Sequence, residues 1–314
     1  MNISRRDFLR YCGTSAAALG LTALDLRLLE EALANPNAQS VVWLQGSGCH
    51  GCSISFLNRI SSTAPTTAAA VVINSVNLAF HPALMSLSGE RAVAAAKNAT
   101  TSPFILVVEG GIPTAHNGAA CLAWTWSGKE VTFLEAVKEF AAKAAEVVSV
   151  GTCAAFGGIS AAPPNPTEVK DVRTVTGRAA INIAGCPPHP DWIVWTFVQL
   201  LLAKPIPMDE YGRPKEFYSE TVHDACPRED AREAREFGVE GCLERLGCRG
   251  DKTRANCPEQ LWNGGTSFCI EANAPCIGCT ESTFPDTRPF YSRGGGGGRR
   301  GRGSPGGRGD TAGQ

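Results

Sequence analysis

Four cysteines in this 314-residue chain each follow closely on a run of β-forming residues. Cys49 and Cys52, in GSGCHGCS, come after Val41-Val42-Trp43-Leu44; Cys153, in GTCAAFGG, comes after Val147-Val148-Ser149-Val150; and Cys186, in GCPPHP, comes after Ala180 to Ala184. Further strand candidates are Val71-Val72-Ile73 and Phe104 to Val108, the latter closed by Glu109-Gly110-Gly111. Arg91 to Ala99 and Phe133 to Ala145 have helical spacing, Ile54 to Ile60 is an apolar segment, and Asp191 is placed to cap a helix beyond the fifth strand. Strands alternating with helices predict an α/β layer fold with a parallel sheet. Ligands of such sheets sit at the carboxyl ends of the strands, so four thiols are expected on one rim.

Four thiolates meet the ligand demand of a [4Fe–4S] cluster. Glycines at 48, 51, 151, 157, 158 and 185 would let backbone approach it and donate N–H groups. A redox dithiol needs one Cys-x-x-Cys pair and leaves Cys153 and Cys186 unexplained. Structural zinc usually takes two closely spaced pairs, which Cys153 and Cys186 do not form. Two more donor sets follow Pro205: His223 and Cys226 with Cys242 and Cys248, and Cys257 and Cys269 with Cys276 and Cys279. The three sets use eleven of the 13 cysteines and one histidine. Cys12 and Cys121 are left over, the latter expected as a small buried hydrophobe.

The first 34 residues read as a twin-arginine export signal: Ser4-Arg5-Arg6-Asp7-Phe8-Leu9, an apolar stretch from Cys12 to Leu24, and an Ala32-Leu33-Ala34 cleavage site. Cys12 would leave with it. That route carries folded proteins, as a chain loaded with metal in the cytoplasm requires. Residues 35–205 hold the alternating pattern, and 206–293 are rich in Cys, Pro, Gly and charge with little periodicity, so metal is expected to hold that segment together. Residues 294–314 are a Gly/Arg tail, expected to be disordered and to contact an acidic partner or lipid heads. The net charge of −1 leaves no electrostatic footprint for nucleic acid. No apolar run is long enough to span a membrane; Ile193 to Ala203 is the strongest and is too short.

The pieces SRRDFL, GCHGCS, VVEGGIP (107–113), GTCAAFGG, AGCPPHP, HDAC, GCLERLGCRG, NCPEQLWNGG and PCIGC, in that order, resemble the small, electron-transferring subunit of nickel–iron hydrogenases. The resemblance spans most of the chain. It implies a flavodoxin-like, doubly wound domain holding a proximal cluster on Cys49, Cys52, Cys153 and Cys186, and a smaller irregular C-terminal iron–sulfur domain. There the distal ligands would be His223, Cys226, Cys242 and Cys248, and the medial ligands would include Cys257, Cys276 and Cys279.

Cys269 stands where many members have a proline and a three-iron medial cluster, so the resemblance implies a medial site like that of the nickel–iron–selenium branch and three [4Fe–4S] clusters in all, the medial one becoming [3Fe–4S] if Cys269 is not a ligand. Gly51 and Gly158 occupy positions where oxygen-tolerant relatives place extra cysteines, so an ordinary four-cysteine proximal cluster is expected. The tail replaces the C-terminal hydrophobic helix of membrane-bound members, so any membrane association would run through a partner.

The resemblance implies H2 ⇌ 2 H+ + 2 e− at a nickel–iron centre in a large subunit, with no catalytic residue here. It also implies a periplasmic location and an acceptor such as a cytochrome c or a membrane redox subunit. The other readings are an exported iron–sulfur or zinc protein with a structural or sensing role, or a cluster subunit of another hydrogenase-like or quinone-reducing complex. Glu109 is placed either to relay protons or orient the subunit interface, or to satisfy loop N–H groups. His189 is placed for packing or for a sulfide hydrogen bond, and Trp124 and Trp126 for the large-subunit interface, the core or the surface.

Overall fold

The central strands are apolar on both faces because both faces are covered. The computed structural model describes residues 40–59, 77–286 and 290–291. The strands are β1 (Ser40–Gln45), β2 (Asn77–Phe80), β3 (Phe104–Glu109), β4 (Leu122–Trp126), β5 (Lys129–Thr132), β6 (Glu146–Val150) and β7 (Ile181–Ile183). Five form a sheet in the order β2-β1-β3-β6-β7, with every neighbouring pair parallel. β4 and β5 make a separate antiparallel hairpin. The chain steps from β1 to one edge and then crosses back to β3, the flavodoxin-type order, so the switch point lies between β1 and β3.

Side chains of β1 and β3 alternate between two cores, as the strand period of two requires. Val41, Trp43, Ile105 and Val107 face one, and Val42, Leu44, Leu106 and Val108 face the other. The second core is closed by α2 (Gly89–Ala99) and α3 (Phe133–Ala141). The start of α3 is set by a capping box: Thr132 accepts from the Glu135 N–H, and the Glu135 carboxylate accepts from the Thr132 N–H.

The first core continues across α6 (Pro190–Leu201) into the segment after Pro205, through Phe217, Tyr218, Phe268 and Ile270. Helix α6 has a buried run from Trp192 to Gln199 because it lies between the sheet and that segment. The segment itself has only short helices among its described residues, α7 (Lys215–Tyr218) and α8 (Cys257–Gln260) besides single 3₁₀ turns. It borrows its core from the sheet domain. Tyr218 donates from its hydroxyl to the Ala184 carbonyl at 2.7 Å. Arg213, fully buried, pairs with Asp209 at 2.8 Å and Glu281 at 3.0 Å, so its charge is matched from both sides.

The remaining helices are α1 (Gly51–Leu57), α4 (Thr152–Phe156) and α5 (Val172–Thr176). Some expectations fall outside the described residues, and two others differ in detail. The strand expected at 71–73, the export signal and the Gly/Arg tail lie outside the described residues, and β2 is a short, half-exposed strand that no apolar run announces. The helix expected to reach Ala145 ends at Ala141, and a turn at Ala142 and Lys143 delivers the chain to β6. The cap of α6 is His189 rather than Asp191: its Nδ1 accepts from the Asp191 N–H, because Pro190 takes the first helical position.

No helix among the described residues is long and apolar enough to cross a membrane. Phe140 is fully buried and edge-on to Phe104 and Trp124, at 6.1 and 5.7 Å between ring centroids. Phe140→Ala is expected to cost about 3–5 kcal/mol, read as a lowered denaturation midpoint with an unchanged denaturant slope.

Candidate metal centres

The loop leaving β1 turns through His50 in the left-handed conformation (φ 61°) and enters α1. This puts Cys49 and Cys52 on either side of the first helical residue. Cys153 lies in the first turn of α4, which follows β6 directly, and Cys186 lies in the loop from β7 to α6. All four line one cavity of about 70 Å³, together with Glu109 and Thr152. Backbone approaches them closely: a Cβ at Gly151 (φ 88°) would stand 2.3 Å from the Cys52 sulfur. One at Gly158 (φ 50°) would stand 2.9 Å from the Cys153 nitrogen, so neither position takes a side chain without movement.

Glu109, 2% exposed at the end of β3, holds this loop. Its Oε1 accepts from the Cys52 and Ser53 N–H groups, both at 3.1 Å. Its Oε2 accepts from the Trp43 indole at 2.9 Å and from the Ser53 hydroxyl. Of its two sequence readings, the geometry gives Glu109 the second, satisfying loop N–H groups. Ser53 is held in turn by His81. The His81 Nδ1 accepts from the Ala83 N–H at 3.1 Å, so Nε2 carries the proton and donates to the Ser53 oxygen at 3.2 Å. Burial, then the nearby His50, pushes the His81 pKa down to about 4.

The second set, His223, Cys226, Cys242 and Cys248, lines a separate cavity of about 100 Å³ with Arg228, Gly250 and Asp251. Hydrogen-bonded turns build it: the Cys226 N–H meets the His223 carbonyl at 3.0 Å, and the Arg228 N–H points at the Cys226 sulfur at 3.4 Å. The third set is gathered at the start of α8 and around Cys276–Cys279. Cys257, Cys269 and Cys276 all lie near enough to Cys279 to raise its pKa electrostatically, after burial, which is the larger cause. Trp262 also hydrogen-bonds the Cys257 thiol.

Every described cysteine is free, with no disulfide. Burial, reinforced by neighbouring thiols, pushes Cys186 to about 11, Cys276 to about 11 and Cys257 to about 12. Cys52 is pushed well above the ordinary thiol range by burial, then by Glu109 and the three other thiols of its set. Such groups stay protonated at neutral pH unless a bound cation displaces the protons.

The three sets are strung together through Cys276-Ile277-Gly278-Cys279. On one side, the Cys186 N–H reaches the Cys279 thiol. On the other, the Cys276 N–H reaches the Cys248 thiol, and the Arg249 N–H meets the Cys276 carbonyl at 2.8 Å. The third set is therefore the middle one.

Other sequence candidates have ordinary structural roles. Both ring nitrogens of His189 are used, Nδ1 as the α6 cap and Nε2 on the Leu261 carbonyl at 2.8 Å, so packing is its role. Trp124 packs on Phe80 and Phe140, Trp126 lies beneath Lys97 with 5.8 Å from Nζ to the ring centroid, and Cys121 is half-buried against the second core. Sequence reasoning missed Ser53, His81, Thr152 and Trp262. Ser53 and Thr152 adjoin cysteines, but nothing local marks their partners.

Residues 49–200 match the family described as NADH ubiquinone oxidoreductase, 20 Kd subunit, and residues 218–291 match the C-terminal family of the NiFe/NiFeSe hydrogenase small subunit. The chain is 37% identical to the periplasmic [NiFeSe] hydrogenase small subunit of Desulfomicrobium baculatum, over 93% of this chain and 99% of that one. It is 39% identical to the periplasmic [NiFe] hydrogenase small subunit of Solidesulfovibrio fructosivorans, over 93% and 94%. A solved structure of the reduced, active Ni-Fe-Se hydrogenase from D. baculatum superposes with a TM-score of 0.75 at 38% identity, covering 81% of this chain and 99% of that one.

Glu109→Ala would strip acceptors from three buried N–H donors, at about 1–3 kcal/mol each. Lowered stability and reduced iron retention are expected, with Glu109→Gln intermediate. His81 is unprotonated when folded and titrates at about 4, against 6.5 when unfolded. The unfolded chain therefore binds the extra proton between those values, and stability falls as the pH drops from 6.5 toward 4. His81→Asn should flatten that part of a stability–pH curve.

Proposed function

The chain belongs to the small-subunit family of nickel–iron hydrogenases, and from that premise we propose that its three donor sets hold three [4Fe–4S] clusters. As such a subunit it relays electrons in an oxidoreductase acting on hydrogen, and its partner is the large subunit. Each cluster, when bound, supplies a one-electron couple whose potential answers to ligand charge, hydrogen bonds to sulfur and burial. The proposed proximal ligands are Cys49, Cys52, Cys153 and Cys186; the medial ones Cys257, Cys269, Cys276 and Cys279; the distal ones His223, Cys226, Cys242 and Cys248.

The observation that carries this assignment is that eleven thiols and one imidazole, scattered from Cys49 to Cys279, gather as three groups of four.

The chain's own residues act in three ways. Glu109 and the glycine loops hold the proximal thiols and keep their backbone donors directed. The Cys276–Cys279 turn keeps the medial set against both neighbours. His223 brings a neutral ligand in place of a fourth thiolate, which raises the distal potential. Cys269 supplies the fourth medial thiolate, makes that site more negative and lowers its potential. Because Gly51 and Gly158 carry no thiol, the proximal cluster is the ordinary four-cysteine kind.

Residues 35–205 form the proximal-cluster domain and 206–293 the medial and distal one, with the Gly/Arg-rich tail of 294–314 outside both. The periplasmic relatives support a periplasmic location, and Ser4-Arg5-Arg6 with the apolar run behind it supports twin-arginine export of residues 1–34 as a signal. A cytochrome c or a membrane redox subunit would take the electrons.

Co-expression with a nickel–iron large subunit tests this reading. The purified pair should contain about twelve cluster iron atoms per small subunit, besides the metals of the large subunit's nickel–iron centre, and reduce a dye with H2; zinc in place of iron, or no hydrogen-dependent reduction, would overturn it. His223→Cys should keep its iron, lower the distal potential and slow exchange with the natural acceptor; unchanged turnover would refute the role of the imidazole. Cys269→Ala should give an oxidised-state paramagnetic signal of a three-iron centre, absent from the wild type.

A further inference from the structure

Thr152 precedes Cys153 in α4 and is 1% exposed. Its hydroxyl oxygen accepts from the Gly185 N–H at 2.8 Å, and its proton goes to the Cys279 carbonyl. Gly185 precedes Cys186, whose own N–H reaches the Cys279 thiol. One hydroxyl thus joins the backbone beside two proximal ligands to the backbone of a medial ligand. A capping threonine would accept from an N–H of its own helix; here both partners lie outside α4. Valine at this position would keep the volume and leave a buried N–H and a buried carbonyl without partners.

We propose that Thr152 is the positioning residue that holds the Cys153–Cys186 ligand loops in register with Cys279, and so sets the separation that electrons cross between the proximal and medial sets. The electron count is simple: for each electron leaving one set, one enters the other. Hydrogen oxidised on the large subunit is the source, the external acceptor is the sink, and no bond in this chain forms or breaks. The same short segment carries both a proximal ligand, Cys153, and the hydroxyl that meets the medial one.

The inference rests on the ligand assignment above, so the test separates the two. Thr152→Val, Thr152→Ala and Thr152→Ser are prepared in the complete complex with the large subunit. Iron content reports the ligand assignment. The magnetic interaction between the reduced proximal and medial centres, read by electron paramagnetic resonance, and the rate of H2-driven dye reduction report Thr152. Val and Ala variants are expected to keep their iron, show a weakened magnetic interaction and lose several-fold in rate, while Ser keeps both near wild type.

Wild-type coupling in the Val or Ala variant, or a Ser variant as impaired as Val, would overturn the proposal. If the Val variant does not assemble, the Ala and Ser pair decides by the same criteria. A wild type without iron would remove the ligand assignment and this role with it, whereas full iron with unaltered coupling in Thr152→Val removes only the role of Thr152.

Discussion

Sulfur donors buried together are tolerated only when something cancels their charge. As neutral thiols, Cys52, Cys257, Cys276 and Cys279 are small hydrophobes in a desolvated setting, which pushes their pKa values up. As thiolates they would repel one another where water screens little. Bound metal, as proposed, would resolve the conflict, and its binding energy would then become folding energy. The segment after Pro205 would depend on this most. It has only short helices, carries two of the three donor sets, and draws its apolar contacts from a core that it shares with α6 and the sheet.

That dependence explains why the two parts of the chain are joined so closely. The sheet brings proximal donors to its carboxyl rim because the connections that leave β1, β6 and β7 all start there, with Glu109 gathering the first of them. The irregular segment has no such scaffold, and its turns are held by backbone hydrogen bonds around the cysteines and by a buried Arg213 paired with Asp209 and Glu281. The Cys276–Cys279 turn touches both neighbouring sets, so the order of the relay follows from which backbone N–H meets which sulfur. On the proposed assignment, these donor sets make a row of redox sites through an otherwise unreactive chain.

Much of the sheet was legible because its inner strands are buried on both faces and therefore read as unbroken apolar runs: Val41 to Leu44, Phe104 to Val108 and Val147 to Val150. β2 was not, since an edge strand of four residues, half exposed, leaves no such run. The cap of α6 was misread by two residues. Aspartate is the commoner cap, but Pro190 fixes the first helical position, and a histidine nitrogen accepts the N–H as well as a carboxylate does. The donor residues were legible as types and spacings. Their supports were not: the partners of Glu109 and Thr152 lie dozens of residues away, beyond any local pattern.

The amino-acid order alone determined how many sulfur and imidazole donors exist, in which stretches they fall, and that a parallel sheet would carry the first four. Those properties are local, set by residue type and hydrophobic period. Only the tertiary structure decided that Glu109 grips the first loop, that His189 is occupied on both ring nitrogens, that the Cys276–Cys279 turn lies between the other two sets, and that Thr152 ties two of them together. Each depends on at least one hydrogen bond between distant parts of the chain, made once burial has excluded water.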